Sequence, residues 1–214
     1  MKHIAIPLIM GAMLLLTGCE MNDNQQQLQA ISGMSTPFAA GAIMVNLRAE
    51  PTLNTVNDMP NSCTVLIIQM QDPAALDQLL NNPVALRTLF SSGVPADNVL
   101  KIDRYVMMPG QTATLHIDRA YNARQVALVA GYYPSPGKAH TLSVPVPVVS
   151  WDDGWFRSNW QAELGQLTIT VVLGQESIIS ADYPRTESAK KQSNKPAKKD
   201  SLLDFTMEGK NDAG

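Results

Sequence analysis

The sequence predicts a mainly β protein: a two-sheet β-sandwich of about eight strands, with a small helical insertion after the second strand. Three observations predict it. Apolar and polar residues alternate through several short segments. Gly and Pro turns separate those segments. Residues 72–92 alone change to the spacing of an amphipathic helix.

The chain opens with a basic start, Lys2 and His3, and an apolar run from Ile4 to Leu16. A membrane-spanning helix needs roughly 20 such residues, so this run is too short and fits a secretory signal peptide over residues 1–18. It ends at Leu16-Thr17-Gly18-Cys19, the pattern of a bacterial lipobox. Small residues fit the peptidase cleft, and the Cys19 thiolate takes the lipid. Mature residue one is then Cys19, carrying covalent lipid and no other cofactor. One acyl chain binds only marginally, whereas two or three hold firmly. Glu20 follows the cysteine, where an Asp would favour retention in the inner membrane. The expected location is the outer membrane, lipid-anchored and facing the periplasm.

Residues 19–40 read as the lipidated N-terminus and a flexible, Gln-rich tether, with a mean span of roughly 25 Å for a coil of this length. Residues 41–183 read as the sandwich. Ile43, Val45 and Leu47 alternate with Met44, Asn46 and Arg48. Ala113, Leu115 and Ile117 do the same, as do Leu167, Ile169, Val171 and Leu173. The near-continuous runs "TVLIIQM" and "QVALVAGYY" suit central strands. "TLSVPVPVV" suits an edge strand, because Pro145 and Pro147 cannot donate to a ladder. "NVLKIDRYVMM" and "ESIIS" complete a set expected to be antiparallel. Pro109 and Gly110 mark a hairpin turn. Asp72 can cap a helix that starts at Pro73 and carries Leu76, Leu79 and Leu80. A second helix after Pro83 carries Leu86, Leu89 and Phe90. Residues 184–214 have the composition of a disordered basic tail. That tail is either simply solvated or in contact with anionic headgroups, peptidoglycan or an acidic partner.

The formal charge of −3 becomes −4 once residues 1–18 are removed, which is no nucleic-acid signature. With Cys19 lipidated, Cys63 has no intramolecular disulfide partner and reads as a buried small hydrophobe rather than a reactive thiol. No nucleophile elbow, HExxH, CxxC pair or phosphate-binding glycine loop occurs. The expectation is therefore neither an enzyme nor a binder of a small-molecule substrate, nucleic acid or metal. Asp152, Asp153 and Glu163 do not match a calcium loop. Trp151, Trp155, Phe156 and Trp160 either cap one end of the core or form a sugar-stacking or protein-docking patch. The connection at residues 49–62 is long for a hairpin, and Leu53, Val56 and Met59 stand out in it. It is either a recognition loop or a variable surface loop.

Taken in order, these segments resemble the TssJ (SciN, VasD) family, the outer-membrane lipoproteins of the bacterial type VI secretion system. The resemblance covers the lipobox and about residues 42–148. It rests on Leu53-Asn54 before a Pro-containing loop, "CTVLIIQM", the Leu-rich helical insertion, "YVMMPGQTATLHI" and "ARQVALVAGYY". It implies a transthyretin-like sandwich with no catalytic activity. It also implies that the first inter-strand loop contacts the periplasmic C-terminal domain of the inner-membrane protein TssM, which assembles with TssL. By position, the contact residues would be Leu53, Asn54, Val56, Met59 and Pro60. Two features depart from the family: the first Trp is as late as Trp151, and the chain runs on into a basic tail. The alternative is a periplasmic glycan- or peptidoglycan-binding lipoprotein using Trp151, Trp155 and Trp160.

Overall fold

A computed structural model describes residues 22–92 and 98–184. The signal segment, Cys19 and the tail beyond Pro184 lie outside the described residues.

The element order is α1 (Asp23–Gly33), β1 (Ala39–Ala49), β2 (Cys63–Met70), α2 (Pro73–Leu80), α3 (Pro83–Ser92), β3 (Val99–Met107), β4 (Thr112–Arg119), β5 (Gln125–Ala130), β6 (Thr141–Pro145), β7 (Val148–Asp152), β8 (Trp160–Leu164), β9 (Leu167–Leu173) and β10 (Ile178–Asp182). Two four-stranded sheets have the orders β10-β9-β1-β4 and β3-β2-β5-β6, and β7 pairs with β8 as a separate hairpin. Among the described residues ten strands thus stand where about eight were expected.

The period-two pattern decides the layers. Ile43, Val45 and Leu47 of β1 face Val65 and Ile67 of β2 across a shared core with Val126, Leu128, Ile169 and Val171. Each such side chain contributes about 1.5–3 kcal/mol on burial. The other face of the β1 sheet is wetter. There Thr114 Oγ1 donates to Asn46 Oδ1 at 2.9 Å, and Asn46 Nδ2 donates to Thr170 Oγ1 at 3.5 Å.

β2 reads as a continuous apolar run because both its faces are covered. Leu66, Ile68 and Met70 point away from the shared core, against Leu76 and Leu79 of α2 and Leu86 and Leu89 of α3. The two helices start where their caps dictate. Asp72 Oδ1 accepts from Ala74 N, and Asn82 Oδ1 accepts from Val84 N and Ala85 N. α3 ends against Arg104, whose guanidinium donates to the Leu89 and Phe90 carbonyls at 2.8 Å each. A cation there meets the negative end of the helix dipole.

Three expectations are corrected. The run over 141–149 is two strands: β6 is the predicted edge strand, while β7 leaves the sheet. The set is not wholly antiparallel, because β9 runs parallel to β1 from Ile43↔Leu167 to Ala49↔Leu173. The segment expected as a flexible tether contains helix α1, capped by the Asn22 side chain, which accepts from Asn24 N. Gln, Leu and Ala are good helix formers. The helix lies along the β7–β8 hairpin, with Gln27 Nε2 donating to Ser150 Oγ at 2.9 Å and Ser158 Oγ donating to Asp23 Oδ1 at 2.6 Å.

Candidate functional site

The connections β1–β2, β3–β4, β5–β6 and β9–β10 all leave the sandwich at one end, and hydrogen bonds tie them together. The Glu50 carbonyl accepts from Leu53 N at 3.0 Å and Gly110 N at 3.1 Å. Glu50 N donates to Leu173 O at 2.9 Å, and Thr55 N donates to Gln175 O at 3.2 Å. The Tyr132 hydroxyl shares its proton between Ser177 O at 2.8 Å and Gly174 O at 3.1 Å. His140 lies beside that phenol, with ring centroids 4.8 Å apart. Its Nδ1 accepts from Gly137 N, so the proton sits on Nε2 and is donated to Glu176 O; both bonds measure 2.9 Å.

Within this frame the β1–β2 connection is a built structure. Leu53 has no exposed surface and belongs to the sandwich core. Asn54 is buried in a left-handed conformation (φ 46°), which Asn tolerates better than most residues. Its amide uses both ends: Nδ2 donates to Ser62 O at 2.8 Å, and Oδ1 accepts from Tyr133 N at 2.9 Å. Beyond Asn54 a miniature hairpin rises. Val56 and Met59 exchange both backbone hydrogen bonds, and Asn57 and Asp58 between them have φ of 50° and 63°. Two successive positive φ values describe a type I′ turn. The result is an exposed Met59 (64%), with Pro60 exposed beside it and Val56 half-buried.

The residues predicted as a contact set therefore separate. Met59 and Pro60 face solvent. Leu53 and Asn54 are interior braces that hold the loop, and a partner cannot reach Leu53 without opening the core. Two exposed apolar residues were missed, Met108 and Tyr133. Met108 precedes the Pro109-Gly110 turn, where Gly110 has φ 74° and Gln111 Oε1 accepts from Met108 N at 2.8 Å. Both residues become neighbours of the loop only through the sheet order, which no local signal discloses. Beside them an open groove of ≈ 420 Å³ is lined by Asn54, Arg87, Phe90, Tyr132, Tyr133 and Pro134.

Cys63 sits beneath this end. It is free and buried, and burial pushes its thiol up from 9.0 to about 12, against a smaller opposing effect of the Gly131 backbone. A thiol so placed stays protonated and unreactive at neutral pH. The Tyr132 phenol is pushed well above its ordinary range by burial first and by its neighbour Cys63 second. Among the described residues no group of three or more His, Cys, Asp or Glu side chains could hold a metal ion, and no helix is long and apolar enough to cross a membrane.

The aromatic segment is elsewhere. Trp151 is exposed on β7 and Trp160 half-buried on β8. Trp155 (91% exposed) and Phe156 (87%) project from the tip between those strands. A cap on the sandwich core would require them to be covered, so that expectation is overturned for Trp155 and Phe156.

A family model described as type VI secretion lipoprotein, VasD, EvfM, TssJ matches residues 42–175. Three solved structures are similar. The T6SS lipoprotein TssJ1 of Pseudomonas aeruginosa is 16% identical, with a TM-score of 0.47, over 71% of this chain and 99% of that one. Serratia marcescens Lip, a membrane-bound component of the type VI secretion system, is 17% identical, with a TM-score of 0.46, over 68% and 98%. A structure of the T6SS protein TssM C-terminal domain from EAEC is 14% identical, with a TM-score of 0.43, over 64% and 94%. No curated protein matches the chain. With well over half of its length matched by the family model, this chain belongs to the type VI secretion lipoprotein family, whose members serve a secretion apparatus and not a catalytic reaction.

Proposed function

We propose that this lipoprotein is matured by removal of residues 1–18, acylated on Cys19, and held on the periplasmic face of the outer membrane. From there its loop end docks the periplasmic C-terminal domain of TssM, in a complex that includes TssL. The observation that carries the reading is the Val56–Met59 hairpin. It lifts one flexible apolar side chain, Met59, on a turn braced from below by Leu53 and Asn54. Such a rigid support limits the ordering cost of binding. Methionine adapts to irregular partner surfaces. Pro60, Val56, Met108 and Tyr133 extend the surface, which gives an interface below about 1,200 Å² if the loops dominate it.

Replacing the whole loop would remove Leu53 from the core, so the test uses point variants. Wild-type and Met59→Asp lipoprotein are compared in pull-downs from envelope extracts, after circular dichroism has established equal folding. The expected result is that TssM co-purifies with the wild type and falls at least about tenfold with Met59→Asp, as at an interface hot spot. Equal recovery would remove the loop from the docking surface.

A further inference from the structure

Trp155 and Phe156 are the two most exposed large apolar side chains among the described residues. Their rings form a tilted pair with centroids 4.6 Å apart. The turn beneath them is closely built. Asp152 Oδ1 accepts from Gly154 N at 2.9 Å and from Asn159 N at 2.8 Å, and Asp153 N donates to Asn159 O at 3.0 Å. A Cβ at Gly154 would collide with the Arg157 carbonyl, so only glycine fits there. The aromatic pair is thus held out in water by a defined support.

Its place in the molecule names what covers it. The Ser158–Asp23 hydrogen bond sets the turn at the N-terminus of α1. Asp23 follows Cys19 by four residues, at most about 14 Å of extended chain. The turn belongs to a hairpin whose base lies at the end of the sandwich remote from Met59. The hairpin joins the body where Gly165 N donates to Pro147 O and Arg119 Nη1 to Gly165 O, next to the start of β9. At this same end Thr36 and Asn122 are hydrogen-bonded, which brings two further exposed aromatics, Phe38 and Tyr121, to neighbouring positions.

We propose that Trp155 and Phe156 are a second, non-covalent membrane anchor, inserted into the interfacial layer of the bilayer that holds the Cys19 lipid. The inference rests on the acylation of Cys19 proposed above, because acylation brings the bilayer within reach of the turn. Indole suits that layer, with an apolar ring and one N–H for the wet side. Residues 152–159 carry two carboxylates, Asp152 and Asp153, and one guanidinium, Arg157. The attraction is therefore apolar rather than ionic, and salt should change it little.

The test is depth-dependent fluorescence on the mature lipoprotein in phosphatidylethanolamine–phosphatidylglycerol vesicles with brominated acyl chains. A Trp151→Phe, Trp160→Phe background leaves Trp155 as the sole tryptophan, and circular dichroism checks its fold. The N-terminal peptide mass scores acylation first. The expected result is an acylated Cys19, a blue-shifted Trp155 emission, and at least about a twofold loss of intensity to the bromines with little quenching by aqueous iodide. Trp155→Ser in the otherwise native chain should abolish the bromine-sensitive fraction. An acylated protein whose Trp155 remains iodide-sensitive and bromine-insensitive overturns the membrane contact alone. So does a blue shift that appears only on adding peptidoglycan fragments or periplasmic extract, which would make the occupant a glycan or a protein. An unacylated Cys19 overturns both this inference and the lipoprotein reading beneath it.

Discussion

Leu53 and Met59 are six residues apart in one loop and have opposite duties. Leu53→Ala should cost about 2–5 kcal/mol, the range for opening a cavity under a buried leucine. Met59→Ala should stay within about 0.5 kcal/mol, as exposed substitutions do. Denaturant unfolding of the two variants checks the contrast, and equal costs would refute the division. Cys63 gives a second prediction. Its thiol is raised from 9.0 to about 12, so the folded chain holds that proton more tightly than the unfolded chain. Stability from this source is complete below pH 9 and is lost as pH rises toward 12. Tyr132, raised from 10.0, acts in the same direction at higher pH. The urea midpoint should be flat up to about pH 8.5 and decline between pH 9 and 11. A thiol reagent at pH 8 should react only after unfolding. A flat midpoint through pH 11 would contradict the burial argument.

At the scale of elements, residue type and spacing disclosed much of the fold. Alternation found β1, β4 and β9, and the double-sided apolar run of β2 was readable because helices cover its outer face. Asp72-Pro73 and Pro83 gave the helix starts. What stayed hidden depended on partners. "TLSVPVPVV" keeps its period through Val146, although there the backbone turns out of one sheet toward another hairpin, with Val146 N donating to Arg124 O. β8, "WQAEL", has no β-branched residue to announce it. α1 presents Gln26, Gln27, Ala30 and Ile31 as its half-buried face. That mixture makes no hydrophobic stripe, so a polar helix read as a coil. In the candidate site, Met59 and Val56 were legible as apolar outliers in a long loop, and Pro60 came only with the family resemblance. The inward packing of Leu53 was not legible, because apolarity alone cannot distinguish a brace from a contact, and Asn54 was named only through the family resemblance.

On the two proposals above, the whole molecule works at two ends. β1, with 11 residues, spans about 33 Å between the two ends of the sandwich. A fluorophore on Asp58→Cys, with Cys63 too buried to compete, should transfer energy weakly to acceptors at the vesicle surface. A fluorophore on Arg157→Cys should transfer strongly. Similar transfer from both sites would mean that the body lies flat on the membrane. With α1 docked along the hairpin, the proposed lipid anchor would hold an oriented body rather than a swinging one.

The parallel pairing of β1 with β9 bears on biosynthesis. Asn46 and Thr170 are hydrogen-bonded across 124 residues of sequence, and β1 needs both β4 and β9 before its sheet is complete. A chain made from its N-terminus exposes the apolar row of Ile43, Val45 and Leu47 long before Leu167 is available. Non-local closure of this kind is slow and leaves strand edges open in the meantime. Protection of that open row until β9 pairs is thus a demand set by the sheet order.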